Sequence, residues 1–309
     1  MKIQWYPGHM TKAKRNMQAD LKLVDLVIEL LDARAPFSTE NPDIRKLTAE
    51  KKRLVLLNKA DLADDRVTKA WIGYFREQGC EVVALDSRRR DGIGLVKQAA
   101  ARLSLERWER DQKRGLKQKR AVRAMVCGIP NVGKSTFVNS LTGKASAKTG
   151  DKPGVTKGNQ WLSVNNEFML LDTPGVLWPK FEDETVGTHL ALIGAINDGI
   201  LNQEELAMEL IAILRAAYPA ILPERYAFSE EQIAEKIQEE AMPDVLGLNQ
   251  EALCCLNLIA ENRKCVKRGG VPDYERASKL LIDDLRSGRL GKVTLEAPER
   301  LCPITNGRA

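Results

Sequence analysis

Residues 128–135 read Gly-Ile-Pro-Asn-Val-Gly-Lys-Ser, and they follow directly on the apolar run 122–126. This spacing constrains the fold more than any other feature of the chain. Backbone N–H groups converge on phosphate where a strand runs into a glycine-rich turn and the turn into a helix, expected here to begin near Lys134. Further short runs rich in Val and Leu recur at 23–31, 54–57 and 82–85, separated by helix-length segments. That alternation is the pattern of a parallel sheet. Residues 161–164 and 168–171 flank Asn165 and Asn166 and read as a hairpin closing one edge, which gives a mixed six-stranded sheet with helices on both faces. Past Pro179 the apolar spacing turns helical, as in Leu206, Leu210, Ile213 and Leu214, then Leu253, Leu256 and Ile259. The expected division is an α/β domain over 1–179, a smaller all-helical domain over 180–288, and a loose tail over 289–309, where no period is visible.

A chain of 309 residues, 43% hydrophobic, can bury the cores of two such units. No apolar run approaches the length of a membrane span, and residues 1–10 lack the apolar stretch of a secretory signal, so a cytoplasmic protein without a membrane partner is expected. The six cysteines form no CxxC pair and the only histidines are His9 and His189, which argues for reduced thiols and against a metal cluster. The net charge of +6 is unevenly distributed. Residues 1–180 carry 34 Lys and Arg against 20 Asp and Glu, residues 181–262 carry 3 against 16, and residues 263–309 carry 11 against 6. Two basic zones bracket an acidic helical stretch, and a polyanion would be met by the two ends of the chain together.

The phosphate-loop pattern assigns chemistry to its members. Lys134 offers a point charge to the β and γ oxygens and the Ser135 hydroxyl is a ligand for Mg²⁺, while Asn131, Val132, Gly133 and Thr136 complete the expected contacts. Asn58, Lys59, Ala60 and Asp61 follow the second apolar run; the Asp61 carboxylate can accept from N1 and N2 of guanine, a pair that adenine lacks. Alone, this tetrapeptide also reads as an ordinary strand-to-loop turn. Asp172, Thr173, Pro174 and Gly175 end the strand at 168–171, which sets a carboxylate near the metal and the Gly175 N–H near the γ-phosphate. Thr156, in Pro-Gly-Val-Thr-Lys-Gly, is the natural second hydroxyl ligand of Mg²⁺, and residues 144–158 read as a switch loop.

With these motifs in place, the chain resembles the circularly permuted GTPases of the ribosome-assembly type, their bacterial members most closely. The likeness covers nearly the whole chain. It rests on the order NKAD, GIPNVGKS, PGVT, DTPG, where ordinary GTPases have the phosphate loop first, and on Trp5–Met10 (WYPGHM) and Asp32–Pro36 (DARAP). The resemblance implies a circularly permuted Ras-like P-loop GTPase domain and a GTP-to-GDP switch with slow intrinsic turnover, stimulated by the ribosome. Its expected partners are GTP, GDP and the large ribosomal subunit with its rRNA, and a monomer is expected. It also implies Ser87 as a base contact, although Arg88 departs from the family's Ser-Ala pair there. Where many GTPases carry a catalytic Gln, this chain has Val176. The resemblance offers His9 as the catalytic residue beside Lys134 and Gly175, and Asn131 as the mark of K⁺ stimulation. Read from the residues alone, His9 also fits a packing or capping role and Asn131 a loop-shaping one.

Residues 102–123 hold nine Lys and Arg against three acidic residues and fit a basic helix or a solvated helix face. Arg263, Lys264, Lys267 and Arg268 form a second basic cluster, expected at helical spacing and suited to RNA phosphates, with the family's C-terminal domain as the reason to prefer RNA. The competing reading is a regulatory GTPase that acts through a protein effector without touching RNA, with the acidic stretch 181–262 as its contact.

Overall fold

A computed structural model describes residues 15, 17–89, 91–115, 120–143, 160–166, 168–178, 183–196, 202–239 and 249–298. His9, the Trp5–Met10 motif, Thr156, the segment 144–158 and residues 299–309 lie outside the described residues.

Six strands form one sheet: β1 (Leu26–Asp32), β2 (Lys52–Asn58), β3 (Glu81–Leu85), β4 (Val122–Cys127), β5 (Gln160–Asn165) and β6 (Phe168–Asp172), in the order β3-β2-β1-β4-β6-β5. All neighbours pair in parallel except β5, which runs antiparallel to β6 at the edge, as the hairpin reading requires. The burial patterns explain the placement. Every residue of β1 is buried, as befits a central strand covered on both faces, whereas β5 alternates exposed and half-buried positions. The first strand starts at Leu26 rather than at Leu23. Asp25 interrupts the run by accepting the Arg123 N–H and pairing with Arg107, and Leu21–Leu23 form a 3₁₀ turn with Leu23 half exposed.

Helices cover both faces. On one, Leu31, Val55 and Leu57 meet Trp71 and Phe75 of α3 (Asp65–Glu77), the second long connection after the short α1 (Pro36–Thr39) and α2 (Pro42–Leu47). Trp71, Tyr74 and Phe75 pack ring against ring, with Trp71 and Phe75 centroids 5.8 Å apart. On the other face Ile28, Leu30, Leu54 and Leu56 meet α4 (Asp91–Leu103). The basic stretch 102–123 is not one helix: α4 ends at Leu103, α5 spans Leu105–Lys113, and the chain enters β4 at Val122. The phosphate loop leads into α6 (Lys134–Thr142), as its pattern demands.

The remaining helices are α7 (Glu184–Leu192), α8 (Gln203–Ala217), α9 (Ile221–Tyr226), α10 (Glu230–Glu239), α11 (Gln250–Asn262) and α12 (Tyr274–Ser287). Asn202, Asn249 and Asp273 cap α8, α11 and α12 with side-chain oxygens. Buried apolar side chains run without a break from the sheet into these helices. The tail expectation needs correction: Leu290, Val293, Thr294 and Leu295 are buried, because the irregular segment 289–298 spends its backbone groups on other parts of the chain. No helix among the described residues is long and apolar enough to cross a membrane. Cys80, Cys127, Cys254, Cys255 and Cys265 are buried, and none of them forms a disulfide with another among the described residues.

Candidate functional site

The motif residues meet at the carboxyl ends of the parallel strands, beside the switch point where β2 and β4 diverge from β1. There the backbone leaves no room for a side chain at Gly133 or Gly175. Gly133 has φ +96°, and a Cβ on it would stand 2.3 Å from Asn58 Nδ2. A Cβ on Gly175 would lie 2.9 Å from both Lys134 Nζ and the Pro130 nitrogen. The turn after β6 is therefore packed directly on the phosphate loop. Thr173 Oγ1 donates to the Val126 carbonyl at 2.8 Å, Val176 N donates to Gly128 O at 3.4 Å, and Asn41 Nδ2 donates to Val176 O at 2.7 Å.

Lys134 is buried and donates to the Ile129 carbonyl at 2.6 Å. Burial pushes its ammonium down to about 8, against the opposing pull of Asp172. Burial also raises the Asp172 carboxyl, with Lys134 acting against it, and Asp172 Oδ1 has no hydrogen-bond partner among the described residues. A buried cation, a buried carboxylate with an unused oxygen and the half-buried Ser135 hydroxyl at the start of α6 form a set suited to a phosphate and a hard divalent cation, so the residues fit Mg²⁺.

The NKAD turn after β2 is built differently. Asn58 Nδ2 donates to Val132 O at 2.7 Å, and Asn58 Oδ1 accepts from Ser87 N at 2.9 Å and Ser87 Oγ at 2.7 Å. Ser140 Oγ donates to the Ser87 carbonyl at 2.5 Å. One amide thus ties together the turns after β2 and β3 and the phosphate loop. Lys59, in the left-handed region at φ 58°, donates to Asn131 O at 2.9 Å and pairs with Asp32 Oδ2 at 2.9 Å. Burial would raise the Asp32 carboxyl, but Arg34 and Lys59 outweigh it and hold that carboxyl below the usual range. Asp61 lies in the 3₁₀ turn Ala60–Leu62. Its Oδ1 is buried without a partner among the described residues, and its Oδ2 accepts from Arg88 Nη2 at 2.5 Å. Arg88 also grips Asp86 and is 66% exposed.

The structure therefore gathers Asn58, Lys59, Ala60, Asp61, Ser87, Asn131, Val132, Gly133, Lys134, Ser135, Asp172 and Gly175, with Thr136 on the first turn of α6. Three participants escaped the sequence reading. Asn41 holds the Val176 carbonyl, Arg88 holds Asp61, and the carboxyl end of α7 joins the site: Asn131 Nδ2 donates to Gly194 O at 2.8 Å and Arg34 reaches Ile193 O at 3.5 Å. Arg286 adds bonds to Leu192 O at 3.0 Å and Ala191 O at 2.7 Å. None of these had a motif to mark it, except that Arg34 lies in DARAP.

The second basic cluster is not helical. Arg263 caps α11, Lys264 has φ 55°, and Lys267 and Arg268 sit on a turn closed by the Val266–Pro272 bridge, because α11 stops at Asn262. Arg263, Lys264, Lys267 and Arg268 are exposed, and Arg263 lies over the Tyr226 ring at 5.2 Å.

A six-stranded sheet with its phosphate loop after the fourth strand and the NKAD turn after the second defines a circularly permuted P-loop GTPase fold. Residues 123–250 match the family model described as 50S ribosome-binding GTPase. The chain is 46% identical over 299 residues to ribosome biogenesis GTPase A of Bacillus cereus, with 97% of this chain and 95% of the relative covered. It is 33% identical over 305 residues to the Thermotoga maritima protein of the same name, with 98% and 97% covered. Among solved structures, GNP-bound YlqF from T. maritima superposes with a TM-score of 0.62 at 29% identity over 93% of this chain and 99% of that one. The GDP-bound form gives 0.61 at 28% identity over 92% and 100%. The chain belongs to the ribosome biogenesis GTPase A family.

Proposed function

We propose that this chain binds GTP and hydrolyses it to GDP and phosphate as a switch in late assembly of the large ribosomal subunit, engaging pre-ribosomal RNA and leaving after hydrolysis. The observation that supports the nucleotide reading is that two carboxylates of the motifs, Asp61 after β2 and Asp172 at the end of β6, each keep a buried oxygen without a partner among the described residues, with Lys134 buried on the phosphate loop. The assembly role rests on the names of the relatives. Asp61 and Ser87 take the guanine, residues 128–136 the phosphates, and Lys134 the charge that grows on the β and γ oxygens. Ser135 and Thr156 would hold Mg²⁺, with the Asp172 carboxylate beside them, and the metal would supply neutralisation of the phosphate charge.

Val176 is only 4% exposed and its backbone is held by Gly128 and Asn41, so its side chain belongs to the core and has no part in orienting water. His9 takes that role in our reading, Gly175 N–H meets the γ-phosphate, and K⁺ joins through Asn131. The division at 179/180 and the RNA contact through Arg263, Lys264, Lys267 and Arg268 are part of the same proposal, as are a monomeric state and a bacterial cytoplasmic setting. The test is the hydrolysis rate with and without purified large subunits in potassium buffer, with Lys134→Ala as blank. Stimulation of about tenfold, equal to about 1.4 kcal/mol of barrier, is expected. Clear intrinsic turnover without stimulation would overturn the ribosomal coupling and favour a protein effector.

A further inference from the structure

The segment after α12 has no periodicity, yet it is among the most densely anchored stretches of the described chain. The helix ends at Gly288, φ +77°, where a Cβ would stand 2.7 Å from Leu62 Cδ2, so the helix terminus already rests on the turn that carries Asp61. From there the backbone runs along that turn. Val293 N donates to Leu62 O at 3.0 Å, and Asp64 N donates to Thr294 Oγ1 at 3.0 Å. Lys292 pairs with Asp65 at 2.7 Å. Further on, Leu295 N donates to Arg34 O at 2.7 Å and Trp71 Nε1 donates to Glu296 O at 3.0 Å. The Glu296 carboxylate accepts from Ser38 N at 2.8 Å and lies 2.8 Å from His189 Nδ1 on α7. Thr294 is bonded at both backbone groups to the Tyr218 hydroxyl next to α8.

These contacts bracket Asp61. Upstream, Asn58 and Lys59 are locked to the phosphate loop; downstream, Leu62 and Asp64 are locked to residues 293 and 294. Asp64 in turn caps α3 through Arg66 N and Val67 N. A carboxylate that accepts two N–H groups from the edge of a planar base works only when its plane is held, within roughly 10–20°. Among the described residues, the hydrogen bonds that tie the turn carrying Asp61 to the C-terminal part of the chain are made by this strap, at Leu62 O and Asp64 N. Lys292 also lines, with Asp61, Asp86 and Arg89, an open cleft of about 550 Å³.

We propose that residues 290–298 form a positioning strap for guanine recognition, in which Val293 and Thr294 set the turn that carries Asp61 and tie its geometry to α7 and the Tyr218 end of α8. The strap acts on base discrimination rather than on phosphate binding. This inference rests on the guanine-reading role of Asp61 given above.

The experiment measures binding of GDP and of inosine diphosphate, which lacks the 2-amino group, to the full chain and to Thr294→Val, Thr294→Ser and Trp71→Phe. A merely structural defect weakens both nucleotides alike. The strap predicts that Thr294→Val lowers the preference for GDP over inosine diphosphate by about fivefold and that Thr294→Ser restores it, as expected for one hydrogen bond acting through another. Trp71→Phe, which removes the N–H to Glu296 together with part of a buried ring, shifts the preference in the same direction by about twofold, beyond any loss of affinity common to both nucleotides. Amide exchange at Asp64 quickens in Thr294→Val and returns to normal in Thr294→Ser. An unaltered chain that prefers GDP, with variants that keep the same preference, overturns the strap alone. An unaltered chain that shows no preference for GDP overturns the reading of Asp61 and the strap with it.

Discussion

The turn after β2 and the turn after β6 are built in different ways. After β2, Asn58 and Lys59 have satisfied side chains, each bonded to the phosphate loop, and Ser87 closes the set from the next strand. After β6, the same phosphate loop meets a carboxylate with an unused oxygen and a lysine whose burial depresses its proton affinity. The turn after β2 is braced by the chain's own amide and ammonium groups, with Asp61 Oδ1 its buried oxygen left open. The turn after β6 instead sets a buried ammonium and a buried carboxylate beside each other, and burial works against the charge of both.

The largest test of that contrast is Lys134→Met. Hydrolysis is expected to fall by at least about a hundredfold, yet the nucleotide-free protein should gain about 1–3 kcal/mol in thermal or denaturant melts because a buried cation has gone. The sign follows from the folded ammonium titrating near 8 against 10.5 when free. Its unfavourable contribution is full below pH 8 and vanishes as pH rises towards 10.5. The stability difference between the unaltered chain and Lys134→Met should therefore shrink across that window, and a constant difference would break the comparison.

Asn58→Ala probes the other end, where three hydrogen bonds depend on one amide. A stability loss of about 2–3 kcal/mol is expected, read by denaturant melts of the nucleotide-free chain, with the Val132 carbonyl and Ser87 left unpaired. Gly175→Ala should cost about 1–3 kcal/mol of GTP binding through the contact with Lys134 Nζ and Pro130, with a smaller loss for GDP, measured by titration calorimetry. The smallest effect belongs to Arg88→Ala. Its exposed ion pair with Asp61 must open for the base, so GDP binding should tighten by about twofold to threefold, and by less in high salt.

Much of this architecture was legible in the sequence because it is periodic or local. Val- and Leu-rich runs marked the strands, the Gly-Lys-Ser spacing marked the entry to α6, and the permuted motif order followed from position alone. What escaped depends on contacts between distant segments. The segment 289–298 has no period because it is neither helix nor strand, and its buried Val293 and Leu295 mean nothing until Leu62 and Arg34 are brought beside them. The basic cluster at 263–268 reads as helical in the sequence because charges at short spacing look alike on a helix and on a turn. The left-handed Lys264 and the pair Gly269 and Gly270, both at positive φ, are what make it a turn.

Asn131 occupies both sides of the contact between sheet and helices, its carbonyl taken by Lys59 and its amide by the end of α7. Energetic coupling through such a shared residue is reciprocal. If nucleotide binding shifts α7 by a given factor in favour of one pose, then whatever grips the helices in that pose must tighten nucleotide binding by the same factor. A partner that holds the helical half would then govern nucleotide retention without touching the cleft.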